Sequence, residues 1–167
     1  MPASATYTPI ATTTLGSAQA SYTFSSIPST YTDLVLVCNW KNSAGSGYWG
    51  QLQFNGDTGS NYSTTVLQGN GSIASSYRYS NDSVGVRIGG LTTANNNPSI
   101  VNIQNYSNST TYKTQISRYS DSSSAVQAFA TLWRNTAAIT SIKIQIENGT
   151  ANIVAGSTFT LYGILSA

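Results

Sequence analysis

Histidine is absent from this 167-residue chain, and charge of either sign is scarce. Without histidine the commonest general base and the commonest metal ligand are both missing. No Ser–His or Cys–His nucleophile pair can be built either. Charged residues make up 7%, against about 25% in an ordinary soluble domain. Seven basic and five acidic side chains leave a formal charge of +2, far below the footprint of a nucleic-acid-binding face or of a patch for anionic membranes. The single cysteine, Cys38, excludes an intrachain disulfide and a cysteine-rich zinc site. Inside an apolar run it reads as a small buried hydrophobe. No stretch approaches 18 consecutive apolar residues, which excludes a helical membrane span. The opening residues, MPASATYTPI, lack the basic start and apolar centre of a secretory signal.

What the chain does have is uncharged polarity. Ser (26), Thr (22) and Asn (15) take over the solvating role of the missing charges. A hydrophobic fraction of 40%, with eleven Tyr and three Trp, separates it from disordered polar tracts. The length suits one domain, which at this size buries roughly 70% of its unfolded surface. Strand signals run from end to end. Asp33–Trp40 is short, apolar on both faces and β-branched, as a buried central strand requires. Alternation marks Tyr48–Phe54, Val84–Ile88, Ile142–Glu147 and Thr158–Leu165, with turn dipeptides at Asn55-Gly56 and Asn148-Gly149. Ala20–Ser25, Ser99–Tyr106, Thr111–Tyr119 and Val126–Trp133 are less regular candidates. Ser122–Arg134 has a helix-like Ser cap and Ala spacing, but its Val126/Ala128/Ala130/Leu132 alternation favours a strand. Gly56–Asn61, Gln68–Asp82 and Leu91–Pro98 read as loops. The pattern predicts an all-β single domain, sandwich or barrel, of about eight to ten antiparallel strands. Residues 1–15 would form an arm or edge strand and residues 16–167 the domain.

Candidate chemistry is thin. Asp33, Asp57, Asp82, Asp121 and Glu147 are the whole acidic set, and a glycosidase would need two of them paired, one in a buried site that raises its pKa. Asp57, Asp82 and Asp121 instead stand beside Gly, Asn or Ser, where Asp caps turns through its own side chain. Neither an enzyme activity nor a cofactor is expected. The loop Asn55–Asn61 offers oxygen ligands for calcium, but without the spaced carboxylates of a binding loop it reads as a turn. Six N-x-S/T triplets follow from composition alone. Aromatics are more suggestive: Trp49, Tyr62, Tyr77 and Tyr79 lie in or beside polar stretches, as do Trp40, Tyr106, Tyr112 and Tyr119. Such residues are either core and subunit-interface aromatics or a carbohydrate-binding surface. Lys113, Arg118 and Arg134 stand out as isolated cations, anchors for a partner or solvated strand positions. Lys113 and Arg118 are an odd number of residues apart, so one uninterrupted strand would point them to opposite faces.

Several segments taken in order carry a family resemblance. They are YTPIATTTL from Tyr7, YTFSSIPSTYTDL from Tyr22, FNGDTGSNYS from Phe54 and NYSN from Asn105. Near the end come LWR from Leu132, AITSI from Ala138 and STFTLYGI from Ser157. This order resembles small structural proteins of tailed bacteriophages, common in marine and cyanobacterial phages, and spans nearly the whole chain. The resemblance implies a jelly-roll-like β-sandwich on the phage particle, without catalytic or cofactor residues. It implies two homes: a free-standing capsid decoration or cement protein, homotrimeric and bound to the major capsid protein or other virion proteins, or a tail-fibre domain recognising host glycans. With no shaft or attachment segment preceding the domain, the free-standing case is the expectation, on the outer surface of a virion assembled in the host cytoplasm.

Overall fold

The computed structural model describes residues 6–45, 47–120, 126–149 and 151–165. Twelve strands occur among them: β1 (Tyr7–Thr14), β2 (Ser21–Phe24), β3 (Asp33–Trp40), β4 (Tyr48–Phe54), β5 (Tyr62–Gly69), β6 (Ala74–Asp82), β7 (Val86–Leu91), β8 (Asn97–Ile103), β9 (Lys113–Ser120), β10 (Val126–Trp133), β11 (Ile142–Ile146) and β12 (Thr158–Ile164). Glu147–Gly149 adds one 3-10 turn. The nine strands with a sequence signal are all present, and with β1, which falls in the segment expected as an arm or edge strand, and the unforeseen β5 and β6 the total of twelve passes the expected eight to ten. The stretch Gln68–Asp82, expected as a loop, is the end of β5, a tight turn and the whole of β6.

The strands form an eight-stranded sheet, in the order β1-β12-β3-β8-β9-β10-β5-β6, and a four-stranded sheet, β2-β11-β4-β7. All pairings are antiparallel. The pairs β1/β12 and β3/β8 lie in the large sheet, and β2/β11 and β4/β7 in the small one. The chain is thus one long antiparallel hairpin whose successive pairs alternate between two sheets, the connectivity of a jelly roll. Two hairpins are inserted into it. β5–β6 follows β4, β9–β10 follows β8, and together they widen the large sheet beyond β8.

The main core lies between the sheets. From β3, alternate residues Leu34, Leu36, Cys38 and Trp40 point inward and are fully buried. They meet Leu52 and Phe54 of β4, Ile88 of β7, Ile144 and Ile146 of β11, and Phe159 and Leu161 of β12. Each such side chain contributes about 1.5–3 kcal/mol by leaving water. Cys38 is a packing residue, its thiol pushed above its usual pKa by burial. A second, smaller core of Val66, Tyr119 and Phe129 lies under the inserted hairpins.

β7 is the last strand of its sheet, yet its outer edge is covered. The Arg87 backbone N–H donates to Thr64 Oγ1 at 3.2 Å, and Ser117 Oγ donates to the Ile88 carbonyl at 3.4 Å. The added half of the large sheet therefore closes over an edge that would otherwise offer unpaired backbone groups. Both faces of β7 are covered as well: Val86 and Ile88 enter the main core, while Arg87 and Gly89 meet Tyr79 and Tyr119.

Candidate functional site

Three of the four aromatics singled out in the sequence come together. Trp49 of β4 has the Tyr77, Tyr79 and Phe129 rings around it at 6.5, 6.4 and 5.8 Å between centroids, all edge-to-face. Tyr77 and Tyr79 are themselves 5.7 Å apart. Each of the three is partly buried against the second core. Tyr77 Oη donates to Gln68 Oε1 at 3.2 Å. Burial raises the Tyr77 phenol above its usual pKa, and the neighbouring Tyr79 adds to the shift.

The fourth aromatic is elsewhere. Tyr62 is fully buried in the main core, stacked on Trp133 at 6.4 Å, and its hydroxyl donates to the Asp57 carbonyl at 3.0 Å. It is part of no surface, because β5 turns its side chain inward at the same level as Trp133 of β10.

Arg87 had no sequence signal, yet it organises the edge of the aromatic group. Its guanidinium lies 3.6 Å from the Tyr79 ring centroid and pairs with Asp82 and Glu147, at 2.5 Å each. Asp82 also accepts the Val84 N–H through Oδ1 at 2.9 Å. The other described carboxylates hold loops. Asp33 accepts from the Asn105 N–H at 2.6 Å. Asp57 accepts from Gly59 N–H, Asn61 Nδ2 and Trp133 Nε1 at 2.8, 2.9 and 2.7 Å. Burial pushes the Asp57 carboxyl up, but these hydrogen bonds outweigh it and hold the pKa below the usual value. The Asn55–Asn61 loop is stitched inward in the same way, with Asn55 Oδ1 accepting from Thr140 N and Ser141 N at 2.8 and 3.1 Å. Among the described residues no three Asp, Glu or Cys side chains gather as metal ligands. Asp121 and the side chain of Asn148 lie outside what the structure describes.

The three cations separate. Lys113 is buried, 2% exposed, and Nζ donates to the Thr111 and Thr136 carbonyls at 2.8 and 3.0 Å. Burial lowers its pKa, and it is an internal strut with no access to a partner. Arg134 clasps the start of β5, reaching Ser63 Oγ, the Ser60 carbonyl and Asn81 Oδ1 at 2.5, 2.7 and 3.0 Å. Arg118 alone stands exposed on the outward face of β9, opposite in direction to Lys113.

That outward face is the largest departure from an ordinary sandwich. On β10 the buried side chains are Gln127, Phe129, Thr131 and Trp133, while Val126, Ala128 and Ala130 face out. β9 repeats the inversion: Lys113, Gln115, Ser117 and Tyr119 turn in and Ile116 turns out. Register places these outward residues in rows across the sheet. One row is Ile100, Arg118, Ala128, Leu67 and Ser76; the next is Asn102, Ile116, Ala130, Thr65 and Arg78. Leu67, Ile116 and Val126 are 56%, 57% and 68% exposed. A lone exposed hydrophobe is ordinary, but a contiguous apolar face on a sheet marks an interaction surface.

No protein-family model matches the chain, and no curated protein is significantly similar to it.

Proposed function

We propose that the chain is a non-enzymatic structural protein of a phage particle, a decoration or cement protein that binds the outer shell. The carrying observation is the inverted pattern of β9 and β10, which spends polar side chains inside and turns Ile116, Val126, Ala128 and Ala130 outward. Such a face is stable in water only at a cost and gains by being covered. The particle itself comes from the resemblance of the segments quoted above. The mechanism is linkage: a protein that binds only the assembled, expanded shell stabilises that state by mass action. In this reading the chain is a homotrimer, folded in the host cytoplasm, and its partner is the major capsid protein.

Quantitative mass spectrometry of purified particles tests this. Copies comparable with the major capsid protein are expected; complete absence from the particle would overturn the reading.

A second reading rests on the convergence of Trp49, Tyr77 and Tyr79. Partly exposed rings beside Arg87 suit the apolar faces of sugars, and the chain would then be a receptor-binding domain of a tail fibre recognising host glycans. A few copies per particle, together with loss of adsorption in Trp49→Ala, would favour it over the shell.

A further inference from the structure

The outward face of the large sheet carries charge of one sign around its apolar centre. Arg118 stands in the row with Ile100, Ala128 and Leu67, and Arg78 in the row with Ile116 and Ala130. Both are exposed, and neither has a hydrogen-bond or ion-pair partner among the described residues. The contrast with Arg87, Lys113 and Arg134 is sharp, since each of those is held by carboxylates, carbonyls or hydroxyls. The described carboxylate on the same face, Asp33, sits at its β3 end and already accepts from the Asn105 N–H. Two surface depressions, of about 650 and 230 Å³, share Arg118 and Val126 in their walls.

Resting on the shell-binding reading, we infer that this face docks a protein surface with an apolar centre flanked by carboxylates, one for Arg118 and one for Arg78. Charge decides the occupant. A second copy presenting the same face would bring guanidinium groups against guanidinium groups, with no free described carboxylate to receive them. An acidic partner instead satisfies both forks, each able to take a carboxylate through two parallel hydrogen bonds. β9 and β6 are three strand spacings apart, so the two carboxylates stand roughly 15 Å from one another. Leu67, Ala128 and Ala130 lie between them and supply the dehydrated centre of the contact, while the arginines fix its register and speed the encounter.

The test uses shells of the encoding virus stripped of this protein, and the purified full chain. Cosedimentation is measured across salt concentrations for the wild type, R78E/R118E and L67S/V126S, each checked for an unchanged thermal transition. Wild-type binding should weaken as salt rises. R78E/R118E should bind at least tenfold more weakly and lose most of that salt dependence; L67S/V126S should also weaken binding but keep it. Equal binding by wild type and R78E/R118E, insensitive to salt, overturns the inference and leaves the shell reading standing. A wild type that does not bind shells at all overturns both. Concentration-dependent dimerisation, abolished by V126S and untouched by R78E/R118E, would assign the face to a second copy and likewise overturn it.

Discussion

The Trp40 indole occupies the space where a side chain at Gly50 would lie: a Cβ there would fall 2.2 Å from the ring. Trp40 is fully buried and packs edge-to-face on Phe159 at 5.6 Å, so the ring has no free direction in which to retreat. Gly50→Ala should therefore destabilise the fold by about 3 kcal/mol, at the upper end for one added methyl in a packed core. Urea titration followed by Trp fluorescence reads this. A loss under about 0.5 kcal/mol would mean that the sheets separate locally without penalty.

Asp57 makes stability depend on acid. Its folded-state pKa is depressed, so its contribution is present above the ordinary carboxylate value near 3.8 and is withdrawn as pH falls through the lower folded value. Between pH 5 and pH 2 the thermal midpoint of the wild type should fall more steeply than that of Asp57→Asn. Parallel curves for the two proteins would show that the contacts to Trp133, Asn61 and Gly59 do not discriminate the charged form.

Arg87 joins residues that are far apart in the chain, Glu147 being 60 positions away. Its removal leaves Asp82 and Glu147 without their cation at a site where the arginine is only 8% exposed. Arg87→Gln should cost about 3 kcal/mol in denaturant, and Arg87→Lys less, since lysine keeps the charge but loses the fork and the stacking on Tyr79. An equal loss in the two variants would make the guanidinium fork and its stacking on Tyr79, and not the charge, the cause.

The outward apolar face makes the opposite kind of prediction. Leu67→Ser and Val126→Ser remove exposed side chains that pack on no core, so stability should stay within about 0.5 kcal/mol of the wild type. The concentration at which the free protein precipitates should rise. A destabilisation above 1 kcal/mol would mean that the face is already covered in the isolated chain.

How much of this was legible depended on which side of each strand carries the signal. β3, β4, β11 and β12 put apolar side chains on alternate inward positions, and that alternation is visible without a structure. β6 reads ASSYRYSND and partly buries only Tyr77, Tyr79 and Asp82, too little for a periodic pattern. β1 falls in the segment expected as an arm or edge strand, but its bulge between Pro9 and Ala11 and its mostly polar residues leave no clean alternation to choose between the two. For β10 the alternation was visible but its direction was not, because period two distinguishes the faces without naming the inner one. The gathering of Trp49 with Tyr77 and Tyr79 depends on β6 being laid beside β5, a long-range event that no local spacing encodes. Tyr62 and Lys113 show the converse. A polar neighbourhood in sequence does not keep a side chain at the surface when the strand's register turns it inward.

The hydroxyls of Thr64 and Ser117 that seal β7 come from the two inserted hairpins, one from each. Those hairpins are therefore integral to the roll rather than ornaments upon it. A shortened protein without residues 62–82 and 113–133 would keep all eight strands of the jelly-roll hairpin and still bare one rim of the small sheet. Neighbouring molecules would find there a row of unclaimed amides and carbonyls, a template on which the minimal version of this fold would grow into fibres.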